Sequence, residues 1–217
     1  MGKDYSYILF DLDGTITDSG PGIKNGFKYT LERFGIEIPP DDQLGKFVGP
    51  PLSESFGNIL GFSKEDTVKA ISVYREYYFD KGVYENEVYP GIRELLEKIC
   101  ASGKKLILAT SKAEHGTNIV LDHFDLRKYF SFVSCSTENG RITKTDVIRY
   151  AIEQCRIEDL SRAVMIGDRK YDIESAKETG LESIGVLYGY GDREEHTKAG
   201  ATYIASVPED ILRILGL

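Results

Sequence analysis

Short apolar, β-rich segments alternate with helical patterns along most of this 217-residue chain. The strand-like segments are residues 5–10, 104–110, 130–134, 163–167, 182–187 and 202–205. Helix-like segments lie at residues 91–103, 145–155, 171–180 and 208–216, between or after these strands. Because parallel strands are joined by crossover helices, the alternation predicts an α/β fold built on a doubly wound parallel sheet.

One long segment, residues 17–87, interrupts the alternation. It has helical periodicity and proline-containing loops, and we find no strand pattern in it. Within it, residues 63–82 begin with Ser63 and Asp66 at a capping-box spacing and predict a helix whose packed face carries Val68, Ile71, Tyr74 and Tyr78. An insert of this length exceeds an ordinary strand–helix connection. We therefore expect a helical cap domain at 17–87 and a core domain formed by 1–16 and 88–217.

The charge and hydropathy of the chain exclude several classes of partner. The net charge is −8, from 27 basic and 35 acidic residues, and no Lys/Arg run is present to bind a nucleic acid polymer. No apolar run approaches the roughly 18 to 20 residues that span a bilayer, and acidic residues interrupt the N-terminal segment where a signal peptide is apolar. We expect a cytoplasmic protein with no membrane partner.

Cysteine and histidine spacing gives no metal or disulfide pattern. The three cysteines lack a CxxC spacing, so neither a zinc site nor a disulfide framework is predicted. The three histidines, His115, His123 and His196, form no HxxxH pair, and we expect them on the polar faces of helices.

Polar side chains follow several of the predicted strands where each strand ends. In an open parallel sheet, ligands bind beyond the carboxyl ends of the strands, so these side chains should converge on one edge. They are Asp11 and Asp13 after the first strand, Thr110, Ser111 and Lys112 after the second, Asp168 and Asp172 after residues 163–167, and Lys144 before a helix. Such closely spaced negative charges predict a bound divalent cation.

These motifs resemble those of the haloacid dehalogenase superfamily of phosphatases. The similarity runs through DLDGT (11–15), Thr110, Lys144 and GDRKYD (167–172), in the order that the family has them. YPGIRELL and the segment from YGYG onward are similar to the phosphoglycolate phosphatase-like branch. The lysine without a following proline, and GDRKYD itself, are more similar to 5′-nucleotidase-like relatives. The resemblance covers essentially the whole chain and implies a Rossmann-like core with an all-helical cap.

The resemblance also implies roles for individual residues. Asp11 is the nucleophile that forms an aspartyl phosphate, and Asp13 is the general acid and then the base. Mg²⁺ is held by Asp11, the backbone carbonyl of Asp13 and Asp168, with Asp172 bound directly or through water. The remaining candidates contact substrate: Thr110, Ser111, Lys144 and free backbone N–H groups around Gly14 at the phosphoryl group, and Lys46 or Lys24 from the insert at the leaving group. Whether Lys144 or Lys112 contacts the phosphate stays open.

The expected function is hydrolysis of small phosphomonoesters, with phosphoglycolate and nucleoside monophosphates as leading substrates, by a monomer or homodimer. A phosphomutase and a catalytically silent binding module on the same fold stay open. A dehalogenase needs no leaving-group acid, so Asp13 argues against it. Residues 135–141, CSTENGR, also have the CxxxxxR spacing of cysteine-dependent tyrosine phosphatases, although Cys135 fits a small apolar strand-end residue better.

Overall fold

A computed structural model describes residues 3–137 and 140–217. Within these ranges the strands are β1 (Tyr7–Phe10), β2 (Thr17–Asp18), β3 (Glu87–Val88), β4 (Lys105–Ala113), β5 (Phe132–Ser136), β6 (Ala163–Gly167), β7 (Glu182–Val186) and β8 (Tyr203–Ala205). The helices are α1 (Gly20–Arg33), α2 (Asp41–Leu44), α3 (Leu52–Glu54), α4 (Lys64–Tyr77), α5 (Ile92–Ala101), α6 (Glu114–His123), α7 (Lys144–Gln154), α8 (Lys170–Glu178), α9 (Arg193–Ala199) and α10 (Pro208–Leu215). Short 3₁₀ turns lie at Gly45–Phe47, Arg127–Tyr129 and Leu160–Arg162, and π-helical turns at Ser55–Ile59 and Tyr78–Gly82.

Six of the strands form one parallel sheet in the order β5-β4-β1-β6-β7-β8. Alternate side chains of β1 enter two different apolar clusters: Ile8 and Phe10 belong to the larger one, and Leu9 packs with Ile148 of α7 in the smaller one. Both faces of the central strand are therefore buried, as in a doubly wound sheet. The predicted fold class is confirmed.

Strand β4 continues to Ala113, three residues beyond its predicted end. Its pairing with β5 shifts register between Thr110 and Ala113, which makes the ladder irregular at this end of the strand. Ser111 and Lys112 therefore belong to the irregular end of a strand instead of a loop.

The insert carries two very short strands that the sequence prediction missed. Thr17 pairs with Val88 and Asp18 with Glu87 in an antiparallel ladder at the two ends of the insert. The expectation of no strand in this segment was wrong, because a two-residue strand has no alternation to detect. The ladder ties together the two chain segments that join the insert to the parallel sheet.

Helices of the insert pack through an aromatic cluster centred on Phe27 of α1. Its ring lies 4.4 Å from Phe47, 4.8 Å from Phe56 and 5.2 Å from Tyr74, measured between centroids. Helix α4 is capped as predicted, since the Ser63 side chain accepts from the Asp66 N–H.

The packed face of α4 differs from the prediction at one position. Val68 is 70% exposed, whereas Thr67, Ala70 and Tyr74 are buried. Val68 was assigned to the packed face because apolar spacing alone does not distinguish a side chain that faces the core from one that lines a cavity.

His196 is fully buried on α9, so its expected place on a polar helix face was wrong. Its Nε2 lies 2.9 Å from the Val186 carbonyl, and its ring packs over Gly185, where a Cβ would lie 2.7 Å from the imidazole. A glycine on the neighbouring strand makes the room that the ring needs. His115 and His123 are exposed, as predicted. No helix in the described part of the chain is long and apolar enough to cross a membrane.

Candidate active site

Three buried carboxylates meet at the carboxyl edge of the sheet. Asp11 directly follows β1, Asp168 directly follows β6, and Asp172 lies in the first turn of α8. One oxygen from each of the three lies within 4.8 Å of the others. Adjacent parallel strands end side by side, so β1 and β6 bring Asp11 close to Asp168 and Asp172 although these residues are distant in sequence.

Lys144 supplies the positive charge closest to these carboxylates. Its Nζ lies 2.7 Å from Asp11 Oδ1 and 2.8 Å from Asp172 Oδ1, and all three side chains are buried. Burial alone would lower the pKa of the Lys144 ammonium, but the two carboxylates raise it above its ordinary value. Lys144 is the first residue of α7, where a capping box between Thr143 and Asp146 begins the helix.

Lys112 lies on another side of the site and pairs with Asp13. Its Nζ is 3.1 Å from both carboxylate oxygens of Asp13, and it also donates to the hydroxyl of Tyr78 from the insert. The structure therefore places Lys144, and not Lys112, against Asp11. Tyr78 was predicted only as a packed helical residue, and the sequence gives no signal for its contact with this lysine.

The carboxylate cluster has the composition of a site for a hard divalent cation. Burial raises the pKa of Asp11 to about 6, against the opposing effect of Lys144, and burial together with Asp172 raises that of Asp168 well above its ordinary value. Both shifts have burial as their main cause, so negative charge is costly here even with Lys144 beside Asp11. An all-oxygen donor set of this kind fits Mg²⁺.

Hydrogen bonds orient Asp168. Its Oδ2 accepts from the Tyr190 N–H at 2.8 Å, and its Oδ1 accepts from the Thr15 hydroxyl at 3.3 Å. Tyr190 belongs to the YGYG segment, to which the sequence analysis assigned no contact with the site. These two hydrogen bonds hold the Asp168 carboxylate in one orientation within the cluster.

Two glycines allow backbone to approach Asp168 closely. Gly14 has φ +79°, and a Cβ there would lie 2.2 Å from Asp168 Oδ2. A Cβ at Gly189 would lie 2.2 Å from the Gly14 carbonyl oxygen and 2.4 Å from Asp168 Cβ. The N–H of Gly14 donates to the Thr17 carbonyl at 2.8 Å, so the expectation that it is free for phosphate is wrong for this residue. Glycine is needed at position 14 because the tight turn has a positive φ there, and not because its N–H is free to bind phosphate.

Above the carboxylates lies a cavity of about 1040 Å³ between the insert and the sheet. From the sheet edge it is lined by Asp11, Asp13, Thr110, Ser111 and Lys112. The insert contributes a mainly apolar wall with Phe47, Gly49, Pro50, Leu52, Val68 and Ile71. The predicted nucleophile, acid and phosphate-binding hydroxyls therefore face one shared space.

The two lysines predicted from the insert do not join the site. Lys46 is exposed with its Nζ 5.1 Å from the Phe47 ring, and the Lys24 Nζ lies 5.5 Å from the Tyr190 ring. Neither is among the described residues that line the cavity. Their prediction rested on charge and position in the insert, which do not determine the direction of a long side chain.

Comparison with known protein families gives a match over the segment that contains these site residues. Residues 8–186 match the family described as haloacid dehalogenase-like hydrolase. The chain belongs to this family. It is an enzyme of the hydrolase class, and the predicted family is confirmed.

Three of the proteins similar to this haloacid dehalogenase-like hydrolase illustrate the match. It is 38% identical over 194 residues to the 5′-nucleotidase of Pseudomonas aeruginosa, and this alignment covers 88% of this chain and 86% of that protein. It is 34% identical over 220 residues to the tyrosine-protein kinase PtkA of Mycobacterium tuberculosis, covering 100% of this chain and 74% of that one. The crystal structure of a predicted phosphatase from Clostridium acetobutylicum superposes with a TM-score of 0.94 at 45% identity, covering 98% and 99% of the two chains.

The alternative cysteine site does not form in the described part of this hydrolase. Burial raises the pKa of the Cys135 thiol, which opposes thiolate formation. Arg141 donates from Nε to the Cys135 carbonyl at 2.9 Å, and its guanidinium lies 4.0 Å from the Tyr150 ring centroid. Residues 138 and 139 of the motif lie outside the described residues. The described contacts hold Arg141 to backbone and to an aromatic ring.

Proposed function

We propose that this haloacid dehalogenase-like hydrolase is a Mg²⁺-dependent phosphatase that acts through an aspartyl phosphate on Asp11. The observation that carries the proposal is the buried cluster of Asp11, Asp168 and Asp172 with Lys144, in which Asp11 lines a large cavity together with Asp13. A nucleophile, a cation site and a proton donor are the groups that phosphate monoester hydrolysis requires.

Mg²⁺ would be held by the carboxylates of Asp11 and Asp168 and the backbone carbonyl of Asp13, with Asp172 bound directly or through water. When bound, the cation supplies the positive charge that lets an anionic carboxylate approach an anionic phosphoryl group. Lys144 already offsets part of the cluster's charge at 2.7 and 2.8 Å from Asp11 and Asp172. One lysine does not neutralise three carboxylates, so the remaining negative charge favours binding of a cation.

In the first half-reaction a carboxylate oxygen of Asp11 attacks phosphorus, and the bond from phosphorus to the leaving oxygen breaks. Asp13 gives its proton to that oxygen, so the alcohol leaves neutral. Thr110, Ser111 and Lys144 hold the phosphoryl oxygens. In the second half, Asp13 takes a proton from water as the water oxygen attacks phosphorus. The phosphorus–Asp11 bond breaks, inorganic phosphate leaves, and the free carboxylate returns.

The substrates we propose are small phosphomonoesters, with nucleoside monophosphates ahead of phosphoglycolate. The cavity of about 1040 Å³ is much larger than a phosphoglycolate needs, and its insert wall is mainly apolar. The 38% identity to a 5′-nucleotidase points the same way. Residues 17–87 act as a cap domain over a core of 1–16 and 88–217, and they select the leaving group because they form this wall.

The test is phosphate release from nucleoside monophosphates, phosphoglycolate, sugar phosphates, phosphotyrosine and ATP, with Mg²⁺ and with chelator. We expect Mg²⁺-dependent release that Asp11→Asn abolishes and that Asp42→Asn, at an exposed position on α2, leaves unchanged.

Release that survives both chelation and Asp11→Asn would contradict the mechanism. Turnover of a sugar phosphate to its isomer without phosphate release would identify the phosphomutase instead. Phosphoryl transfer from ATP to a tyrosine, as the name of the mycobacterial relative suggests, would replace hydrolysis with kinase activity. No reaction with any compound would favour the silent binding module.

A further inference from the structure

Arg169 is a buried arginine for which the proposed chemistry has no use. It lies between Asp168 and Asp172 in the turn after β6 and is only 9% exposed. A buried guanidinium is costly unless its donors are paired. Its partners therefore indicate what the residue is for.

The guanidinium bridges helix α9 and the insert. Nε and Nη2 donate to the two carboxylate oxygens of Glu195 on α9 at 3.0 and 3.4 Å, while Nη1 donates to the backbone carbonyl of Val48 in the insert. The ion pair with Glu195 holds the planar group in one orientation, which aims the third donor at the insert.

The insert is shaped to receive this side chain. Gly49, the residue after Val48, has φ +104°, and a Cβ there would lie 2.8 Å from Arg169 Cγ. Only glycine combines this backbone conformation with contact against the aliphatic part of the arginine. Two residues after Arg169, on α8, the Tyr171 hydroxyl donates to Glu54 Oε1 at 3.0 Å, which gives a second contact to the same part of the insert.

The segment held by these contacts forms part of the cavity wall. Gly49, Pro50 and Leu52 line the space above Asp11. The same arginine is joined to the carboxylate cluster through its backbone, since its N–H donates to Asp172 Oδ2 at 3.1 Å. One residue thus contacts the wall of the cavity with its side chain and a cluster carboxylate with its backbone.

We propose that Arg169 is a positioning residue that docks insert residues 45–54 over the site and so joins closure of the cavity to the turn that carries Asp168 and Asp172. The docked segment excludes water from the cavity and fixes the wall that contacts the leaving group. The catalytic consequence rests on the proposed phosphatase function, whereas the docking itself does not.

Hydrogen exchange of the full chain with Mg²⁺ tests the docking without reference to turnover. Arg169→Met keeps the length of the side chain and removes its donors. We expect amide exchange in residues 45–54 to rise at least about tenfold, because a charge-assisted hydrogen bond and its ion pair are lost. Arg193→Met, at an exposed position on α9, should leave exchange unchanged. Tyr171→Phe is a milder variant that removes one hydroxyl, and it should raise exchange in the same segment by a smaller factor.

A second readout separates docking from a purely structural role in the turn. If Arg169 docks the insert, Arg169→Met raises KM for a nucleoside monophosphate several-fold more than KM for para-nitrophenyl phosphate. The Mg²⁺ concentration that gives half-maximal thermal stabilisation of this variant stays within about threefold of the wild-type value. Unchanged exchange in 45–54 together with weakened Mg²⁺ binding would overturn the proposal. Faster exchange in a protein that releases no phosphate from any substrate would support the docking and contradict the phosphatase function.

Discussion

Lys144 offsets the charge of two of the three buried carboxylates, Asp11 and Asp172. Lys144→Met keeps the aliphatic side chain but leaves Asp11 and Asp172 without their cation. Breaking a buried ion pair costs about 3 to 5 kcal/mol, so the free energy of unfolding in chelator should fall by an amount in that range. Urea denaturation measures it, with Lys98→Met at an exposed position on α5 as the matched control. A loss below about 1 kcal/mol would show that the ion pairs contribute little to stability.

Gly189 is the second residue whose identity the site requires. In Gly189→Ala the new methyl group meets the Gly14 carbonyl and Asp168, so both must move. We expect Mg²⁺-dependent turnover to fall at least about tenfold, because a shift of a catalytic group by a fraction of an ångström is enough to misplace it. Gly57→Ala, where the nearest atom is 3.6 Å away, is the control. Equal turnover of the two variants would show that the close approach at Gly189 has no bearing on the site.

At the residue scale, the sequence identified the acidic cluster and Lys144 because their types and strand-end positions leave few other interpretations. It did not identify Tyr190, whose contribution to Asp168 is a backbone N–H that any residue could supply. It also assigned Lys46 to the site, because a lysine's position in sequence says nothing about which way its long side chain extends.

Among the elements, α7 has the most direct effect on the site because its first residue is Lys144. Thr143→Ala removes the capping box at this end, and we expect a stability loss of about 1 kcal/mol together with lower kcat, since the lysine is no longer held at a fixed helix start. Ser63→Ala removes the matching cap of α4 and should cost similar stability without lowering kcat. Equal kcat losses in the two variants would contradict a specific role for the α7 cap.

The same cap predicts a pH dependence. Backbone and side-chain hydrogen bonds from Thr143 hold the pKa of Asp146 below its ordinary value. A carboxyl with a lowered folded-state pKa stabilises the protein above its unfolded pKa, and that contribution is lost as pH falls through the folded value. The stability difference between wild type and Asp146→Asn should therefore be constant near neutral pH and shrink in acid. Denaturation at a series of pH values measures it, and a difference that grows in acid would contradict this account.

The six strands of the parallel sheet and the helices α4, α5, α7, α8 and α10 were predictable because each has an apolar pattern of one period, whereas the bounds of α1, α6 and α9 were not predicted. β2 and β3 were not, since two residues show no period and their pairing depends on the two ends of the insert lying side by side. The end of β4 was missed for a related reason: beyond Thr110 the strand continues through an irregular register with polar residues. Local pattern predicts an element's existence better than its ends.

For the molecule as a whole, the wall between insert and sheet should decide which phosphate ester is hydrolysed. Val68 is 70% exposed yet lines the cavity, so Val68→Asp costs little stability and places a negative charge beside the leaving group. We expect KM for a nucleoside monophosphate to rise about tenfold while kcat/KM for para-nitrophenyl phosphate changes less. Ile38→Asp, at an exposed position of the insert outside the cavity lining, is the control. Equal effects on both substrates would contradict selection by this wall.

Contacts between the insert and the sheet were beyond sequence prediction. The contact of Tyr78 with Lys112, and that of Arg169 with Val48, depend on how two sequence-distant parts pack. No periodicity or motif encodes that packing. The order of motifs along the chain, by contrast, was enough to predict which strand ends meet, because a doubly wound sheet allows few arrangements.

The most direct test of the account is to locate the phosphoryl group on the enzyme during turnover. Wild-type protein and Asp13→Asn are mixed with substrate and Mg²⁺, quenched, and treated with borohydride, which reduces an aspartyl phosphate to homoserine. We predict homoserine at position 11 by peptide mass spectrometry. With para-nitrophenyl phosphate, whose leaving group departs without an acid, more should accumulate in Asp13→Asn because the base for the second half-reaction is missing. Phosphate release that proceeds with Asp11 unmodified, or with the phosphoryl group on Cys135 or another residue, would contradict it.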